Sequence, residues 1–362
     1  MAGLSVPNGN GFFAGSGDIS VIQTGINGIM AGMQFTNDTA LYSAMCFVDN
    51  GATTNGTPVG RAIAGVNNGS DGQAGEIMHY PLSPVSNAPE KWPFGVPAAS
   101  KDVTVVDVAV QRDRTYVPIE RIYLDKQDPY QVLAAKQGQI ASRMLRAPDF
   151  DLAELINSNA ATLNYFDGLS FFNTAHPISP GSTVTFSNDI TCTIAEWESG
   201  EGLSKLLDAF ASIPWFDGKL KDGTMSKPLI VTSNMRFNFK ARQLAGLITS
   251  LVGPAIVGTA AGGAQHSPFT GMVRDVVNFQ DLQNVTKYPD SGKYVYALAT
   301  TGGSVQPAFI MSPKRWPYMT IYGTDPNEEI RKNEGAIGWN WSGYWGVGFG
   351  LPQCAVRMKI VV

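Results

Sequence analysis

Residues Arg146–Pro177 have the sequence RAPDFDLAELINSNAATLNYFDGLSFFNTAHP, and the order of its parts decides the predicted fold. Pro148 should break or kink a helix arriving from upstream, and Asp149 can cap its continuation. Apolar residues then recur at helical spacing: Leu152, Leu155, Ile156 and Leu163. A Tyr-Phe-Asp-Gly turn, a short Phe-Phe strand and a closing Asn-Thr-Ala-His-Pro complete the stretch.

The composition of the whole chain predicts a β-rich protein with arms and long irregular excursions. Its 362 residues could form two compact domains or one large elaborated domain. Charged residues make up only 15%, against about 25% in ordinary soluble chains, so part of the surface is expected to meet protein. The 39 Gly and 22 Pro predict many turns and argue against a compact helical bundle.

Charge and cysteine usage exclude several classes of function. A net charge of -4 argues against tight electrostatic binding of nucleic acid, which needs clustered Lys and Arg. Cys46, Cys192 and Cys354 are far apart and lack CxxC spacing, so we expect buried free thiols and no zinc site. The start MAGLSVPNGNG predicts no signal peptide, and no apolar run approaches the roughly 20 residues of a membrane span.

The first third of the chain is dominated by turn-forming residues. Residues 1–45 are rich in Gly, Asn, Ser and Thr, and they would form either an arm ordered against neighbouring subunits or a disordered tail. Residues 46–105 contain repeated turn signals around brief strands such as Ile77–Tyr80, which predicts an extended projecting hairpin. The β-branched run Val103–Val110 predicts a strand covered on both faces, where the compact body begins.

Three helices are predicted in the body. Asp128-Pro129 is a strong helix start, and a long two-part helix is expected from Pro129 to about Asn164. A second helix ends at Pro214 and has the repeat Leu203, Leu206, Leu207 and Phe210. The third starts at Ser233-Asn234, and its stripe of Phe237, Ala241, Leu244, Ile248 and Leu251 extends to Gly253-Pro254.

The remaining segments predict strands and one uncharged loop. Gly253–Gly271 has no Asp, Glu, Lys or Arg, which would suit several copies converging around an axis. Further strands are predicted at Pro228–Thr232, Tyr294–Ala299, Ala308–Met311 and Ile337–Phe349. In the last, large apolar residues alternate with small or polar ones; such rings are more often core, although an aromatic surface could also bind sugars.

Candidate catalytic residues are few. The only histidines are His79, His176 and His266, and none lies in a catalytic motif. Asp167 and His176 could form an acid–base pair, but a turn Asp followed by a His before Pro is more often structural. We therefore predict no enzyme activity and no catalytic, cofactor-binding or metal-binding residue. The cluster Lys314, Arg315, Trp316 and Tyr318 could bind single-stranded nucleic acid, but a packed strand edge is favoured.

The stretch Arg146–Pro177 resembles the matching segment of Mu-type major head subunits, the major capsid proteins of tailed bacteriophages. In that family a helix is followed by a DG turn, a paired-aromatic strand and a closing HP. The resemblance implies the α+β class and, within it, the HK97-like capsid fold, which combines an N-terminal arm, an extended β-hairpin loop, a peripheral domain with a long spine helix, and an axial domain. It is strongest in this stretch and extends in element order to the C-terminus.

The implied domains have these boundaries. Residues 1–45 would be the arm and 46–105 the extended loop. Residues 106–194 and 318–350 would form the peripheral domain, with its spine helix at 129–164. Residues 195–317 and 351–362 would form the axial domain.

The implied function is that of a major capsid protein, which self-assembles as hexamers and pentamers into an icosahedral head around double-stranded DNA, without sequence specificity. The head would assemble in the bacterial cytoplasm, with portal, scaffolding and decoration proteins as candidate further partners. Two alternatives stay open: the shell protein of an encapsulin-like cellular nanocompartment, and a carbohydrate-binding surface protein. Cargo encoded beside the gene would favour the first, and a monomer that binds glycans the second.

Overall fold

The computed structural model describes the chain in blocks separated by gaps. These blocks are residues 41–48, 76–82, 84, 104–123, 146–221, 227–247, 269, 271–299, 306–322 and 327–361. Helices and strands occur together throughout, which confirms the predicted mixture of α and β structure. The helices are α1 (Tyr42–Met45), α2 (Ala147–Ser158), α3 (Ile194–Ser199), α4 (Glu201–Ser212), α5 (Met235–Leu244) and α6 (Glu329–Glu334).

The strands form two five-stranded sheets and one small hairpin. They are β1 (Cys46–Val48), β2 (Glu76–Leu82), β3 (Thr104–Tyr123), β4 (His176–Pro177), β5 (Thr185–Phe186), β6 (Asp189–Thr193), β7 (Leu229–Thr232), β8 (Asp275–Asn278), β9 (Tyr294–Leu298), β10 (Phe309–Tyr322), β11 (Ala336–Phe349) and β12 (Ala355–Val361). The first sheet has the order β1-β10-β11-β3-β2, and the second has the order β6-β12-β9-β7-β8. Within the described part of the chain, strands β4 and β5 pair only with each other.

Three long strands dominate the first sheet. β3 has 20 residues, while β10 and β11 have 14 each, and all three pair antiparallel with register shifts along their length. The strands predicted at Val103–Val110 and Ala308–Met311 are therefore confirmed, but both continue much further than their apolar runs. The short strand β1 joins the edge of this sheet parallel to β10.

Glycine in β11 makes room for large neighbours. A Cβ atom at Gly343 would lie 1.6 Å from the Trp345 ring, and one at Gly348 would lie 2.6 Å from Val108 Cγ2. Trp345 and Phe349 are buried, so for these two rings the core interpretation of the alternating pattern is confirmed. The alternation of large and small residues therefore serves packing on both faces of the strand.

The second sheet is covered on one face by α3, α4 and α5. Thr193 and Glu196 form a capping box at the start of α3, with Glu196 N–H donating to Thr193 Oγ1 at 3.2 Å. α4 buries Leu203, Leu206 and Phe210 as its spacing predicted, and it ends before Pro214. Lys221 Nζ, buried under the end of α4, donates to the Phe210 carbonyl at 2.9 Å, and burial lowers the pKa of Lys221 to about 8.

Two predicted helix ends are wrong. α5 begins after Asn234 as expected, but it ends at Leu244 and not at Gly253-Pro254. Gly246 adopts φ 72°, and Leu247 N–H donates to the Arg242 carbonyl at 2.9 Å, which is a Schellman ending. Ile248 and Leu251 of the predicted stripe lie outside the described residues.

The helix predicted from Pro129 to Asn164 also ends early. Residues 124–145 lie outside the described part, and the described portion, α2, stops at Ser158. Asn159 has φ 48°, in the left-handed region that ends helices, and Leu163 is 52% exposed beyond it. Pro148 lies in the first turn of α2, where proline is tolerated, because its missing N–H would be unpaired there anyway.

The predicted domain boundaries stay predictions, but two segments of the extended loop predicted at 46–105 contribute strands to the first sheet: residues 46–48 form β1 and residues 76–82 form β2. β10 crosses the predicted boundary between 317 and 318, and its pairing with β11 has register shifts between Pro313 and Tyr318. Residues 189–193 pair parallel with β12 in the second sheet. Most of the rest of the predicted loop, 49–75 and 85–103, lies outside the described residues.

Candidate functional site: the joint between the sheets

Phe171 and Phe172 connect the two sheets. They lie next to each other in a bend, so the short strand predicted for this pair is wrong. Both side chains are buried, with their ring centroids 4.9 Å apart at an interplanar angle of 83°. We call these two residues and the side chains that they contact the joint.

Phe171 packs against the first sheet. Its ring stacks on Phe349 of β11 at a centroid distance of 4.3 Å and an interplanar angle of 14°. It also contacts Phe309 of β10, with the centroids 5.7 Å apart. Rings at these separations add stabilisation beyond the burial of their apolar surface.

Phe172 packs against the second sheet. Its ring lies 5.6 Å from the ring of Tyr296 in β9, and the guanidinium carbon of Arg357 in β12 lies 4.9 Å from its centroid. Arg357 also makes a bidentate pair with Asp189, from Nε to Oδ1 at 3.1 Å and from Nη2 to Oδ2 at 2.5 Å. The planar guanidinium thus serves the ring and the carboxylate together, which a lysine could not do.

Two asparagine side chains hold the backbone of the joint. Asn159 Oδ1 accepts from Phe172 N–H at 2.8 Å, and its Nδ2 donates to the Phe172 carbonyl at 3.1 Å. Asn188 Nδ2 donates to the carbonyls of Phe171 at 2.8 Å and Pro352 at 3.1 Å. The Phe-Phe backbone therefore obtains its hydrogen bonds largely from side chains, in place of a neighbouring strand.

Asp167 and His176 flank the Phe171-Phe172 pair in sequence, and their side chains contact each other. His176 Nδ1 lies 2.6 Å from Asp167 Oδ2, and His176 Nε2 lies 3.1 Å from the Phe171 carbonyl oxygen. A carbonyl oxygen can only accept, so Nε2 must carry a hydrogen and donate it. Asp167 Oδ1 accepts from Leu169 N–H at 3.0 Å, which forms the turn at Gly168, where φ is 63°.

The structure brings together the one pair that sequence suggested for acid–base chemistry, but it buries both members. The side chains of His176 and Asp167 are 1% and 2% exposed, and the imidazole stacks on Phe186 at 5.3 Å. Every polar atom of the imidazole already contacts a protein atom. The arrangement suits a structural pair that fixes the turn, because a substrate would have no exposed atom to meet.

Asp149 joins the N-terminal part of the chain to α2. It does not cap α2 as predicted, since its two carboxylate oxygens accept from the backbone of α1: Oδ1 from Tyr42 N–H at 2.7 Å and Oδ2 from Leu41 N–H at 3.1 Å. Burial raises the pKa of Asp149 to about 6, and these two hydrogen bonds oppose the shift. The carboxylate satisfies N–H groups at the start of another helix, 107 residues away in sequence.

α2 contacts the first sheet and the segment that follows β8 of the second sheet. Trp345 Nε1 in β11 donates to Asp151 Oδ2 at 2.7 Å, which attaches the helix to the first sheet. On the side of the second sheet, Arg146 Nη2 pairs with Asp281 Oδ2 at 2.5 Å, and Asn157 Nδ2 donates to the Leu282 carbonyl at 2.9 Å. The helix and the joint therefore connect the same two bodies through separate contacts.

Other candidates from the sequence lie outside this site. His266 falls outside the described residues, and His79, Lys314, Arg315 and Trp316 are described only by backbone in β2 and β10. The three cysteines are buried, as expected. Sequence reasoning missed Asn159, Asn188 and Arg357, whose partners are distant in the chain.

Among the described residues no group of His, Cys, Asp and Glu could hold a metal ion. No helix within the described blocks is long and apolar enough to cross a membrane.

No family model matches the chain, and no curated protein matches it either. Among solved structures, it is similar to a chain of Mycobacterium phage Patience, with 12% identity and a TM-score of 0.47 over 99% of this chain and 95% of that one. It is also similar to the procapsid of bacteriophage JBD30, with 12% identity and a TM-score of 0.45 over 95% and 75%. It is similar as well to the capsid of a native GTA particle, with 10% identity and a TM-score of 0.41 over 80% of this chain and 86% of that one. Similarities this distant assign the chain to no family.

Proposed function

We propose that this chain is the major capsid protein of a tailed bacteriophage, which assembles with copies of itself into a closed icosahedral head. One observation carries the proposal. The helix, the Asp-Gly turn, the Phe-Phe pair and the His-Pro end, which resemble the Mu-type head subunits, occur in that order and build the joint between two sheets. The residues that carry the resemblance are therefore the residues that connect the two sheets.

The two sheets correspond to two parts of a shell subunit. The first sheet with α2 forms the peripheral part, and the second sheet with α3, α4 and α5 forms the axial part, which surrounds the centre of each hexamer or pentamer. The arm predicted within residues 1–45 and the extended loop predicted within 46–105 lie mostly outside the described residues and stay predictions. Double-stranded DNA is enclosed without sequence-specific contacts, in keeping with the net charge of -4.

The burial of two aromatic rings argues against the carbohydrate-binding alternative. Two of the alternating rings that could have stacked on sugars, Trp345 and Phe349, are 0% and 3% exposed and face the interior. Rings that stack on a pyranose must be accessible, so these two are not part of a sugar-binding surface.

Electron microscopy and sedimentation of the expressed full-length chain test the proposal. The chain should be expressed alone and together with the genes encoded beside it, because scaffolding proteins act in trans. Closed icosahedral particles with hexamers and pentamers are expected in at least one case. A chain that stays monomeric in both preparations and binds glycans would overturn the proposal. Particles that enclose a neighbouring enzyme in place of DNA would identify a nanocompartment shell.

A further inference from the structure

The solvent face of α5 has an unusual composition. Met235 and Phe239 are 62% and 63% exposed, although they are large apolar residues one helical turn apart. Arg242 lies on the same face and is also exposed. α5 contains three basic residues, Arg236, Lys240 and Arg242, and no acidic residue. An apolar centre with a basic border marks a contact surface for an acidic partner.

The neighbouring helices α3 and α4 have the opposite net charge. α3 and α4 contain four acidic residues and one basic residue. Lys205 is paired there with Glu196 and Glu201, whereas Asp208 forms no ion pair within the described residues. Asp208 and Ala211 are exposed on α4. This surface can accept a basic neighbour.

These two surfaces lie at opposite edges of one layer. α4 packs over β6, β12 and β9, while α5 packs over β7 and β8, and the sheet order places these groups on opposite sides. α3 joins them on one face, since Trp197 contacts Phe237 at 6.0 Å and Arg236 Nε lies 2.8 Å from Glu198 Oε1. Arg236 is thus paired with Glu198 within the subunit, whereas Arg242 on α5 and Asp208 on α4 are exposed and form no ion pair among the described residues, so these two charges suit contact between different subunits.

We infer that the face of α5 formed by Met235, Phe239 and Arg242 docks on the α4 surface formed by Asp208 and Ala211 of a second copy of this chain. The two surfaces differ, so the contact is heterologous, and repetition of it around an axis closes a ring. Charge complementarity selects the copy and its orientation, while the apolar pair supplies buried area. The inference rests on the proposed function and specifies which helices meet inside a hexamer or pentamer.

A charge-reversal series tests this contact. Arg242→Asp and Asp208→Arg should each lower the association of full-length subunits into capsomers by about tenfold, because like charges then face each other. The double variant Arg242→Asp/Asp208→Arg should restore much of it. Circular dichroism checks the fold of every variant, and Lys332→Glu on α6, also exposed, is the matched reversal outside the contact.

Cross-linking gives a second measurement that does not depend on shell closure. Subunits with Arg242→Cys are mixed with subunits with Asp208→Cys and oxidised; a disulfide-linked dimer is expected only in the mixture, since the three native cysteines are buried. A dimer from Arg242→Cys alone would show that α5 packs on α5, and this would overturn the inference. So would wild-type capsomers with no cross-link and no effect of charge reversal, a result that leaves the proposed function intact. A wild-type chain that does not associate, either alone or together with the neighbouring gene products, would contradict the proposed function as well.

Discussion

At the scale of single residues, the chain contains the same turn twice in two different surroundings. Phe166-Asp167-Gly168 and Phe216-Asp217-Gly218 both place glycine at positive φ, 63° and 73°, and in both the Asp Oδ1 accepts from the N–H two residues later, at 3.0 and 3.2 Å. The two phenylalanine rings even contact each other at 5.5 Å. Asp167 has a buried histidine partner, His176, whereas Asp217 contacts Lys219.

This duplication supplies a matched pair of variants. Asp167→Ala should lower the free energy of unfolding by roughly 2–4 kcal/mol, because it removes the acceptor of the turn and also leaves the buried His176 Nδ1 without its partner. Asp217→Ala removes the same turn acceptor near the surface and should cost less than about 1.5 kcal/mol, since its ion-pair contact with Lys219 spans 3.9 Å. Urea denaturation measures both. Equal losses in the two variants would contradict a structural role specific to the Asp167–His176 pair.

At the scale of elements, the attachment of α1 to α2 should depend on pH through Asp149. The pKa of this carboxyl is raised from 3.8 to about 6, so between these values the native state binds more protons than the unfolded state. The stabilisation that this group contributes is therefore fully present below pH 3.8, and it is lost as the pH rises from there to about 6. Between pH 5 and pH 7 the loss amounts to about 1 kcal/mol.

Asp149→Asn isolates that contribution. The difference in unfolding free energy between parent and variant should shift by about 1 kcal/mol in favour of the parent when the pH is lowered from 7 to 5. Urea titrations at both pH values measure it, and other titrating groups cancel in the difference. A difference that stays constant, or that moves the other way, would show that Asp149 is not held at a raised pKa.

At the scale of the whole molecule, the joint should make the two sheets unfold together. Phe172→Ala should cost about 3–5 kcal/mol and weaken the coupling between the sheets, since the ring contacts Tyr296 and Arg357 of the second sheet while Phe171 contacts the first. Calorimetry on free subunits should then show a calorimetric enthalpy larger than the van't Hoff enthalpy. The parent should show near equality of the two.

Phe237→Ala is the control for this experiment. Phe237 is a buried phenylalanine that contacts Trp197 within the layer over the second sheet, so its removal leaves the connection between the sheets intact. It should lower the melting temperature without separating the transitions. If Phe172→Ala also keeps one transition, then the contacts of α2 suffice to couple the sheets and the joint is not required.

Local sequence patterns determined the identity of most elements. The apolar spacing in α4, the Asn234 cap of α5 and the strands in the second half of the chain follow from interactions over one or two turns, which any chain with those residues would make. Asp167 and His176 could be paired from sequence because the turn between them is short. The ends of α2 and α5 were missed because Asn159 and Gly246 take left-handed backbone conformations that periodicity does not encode.

The tertiary structure alone decided what these elements do together. The sequence predicted a strand at Phe171 and Phe172, but the fold has a bend there, with one ring packed against each sheet and with Asn188 and Arg357 holding the pair. It also turned Asp149 from a predicted cap of its own helix into an acceptor for α1. The physical reason is the same in each case: a buried polar or aromatic group must find a complementary partner, and that partner is chosen by spatial proximity, which hydrophobic packing creates between residues of any separation in sequence.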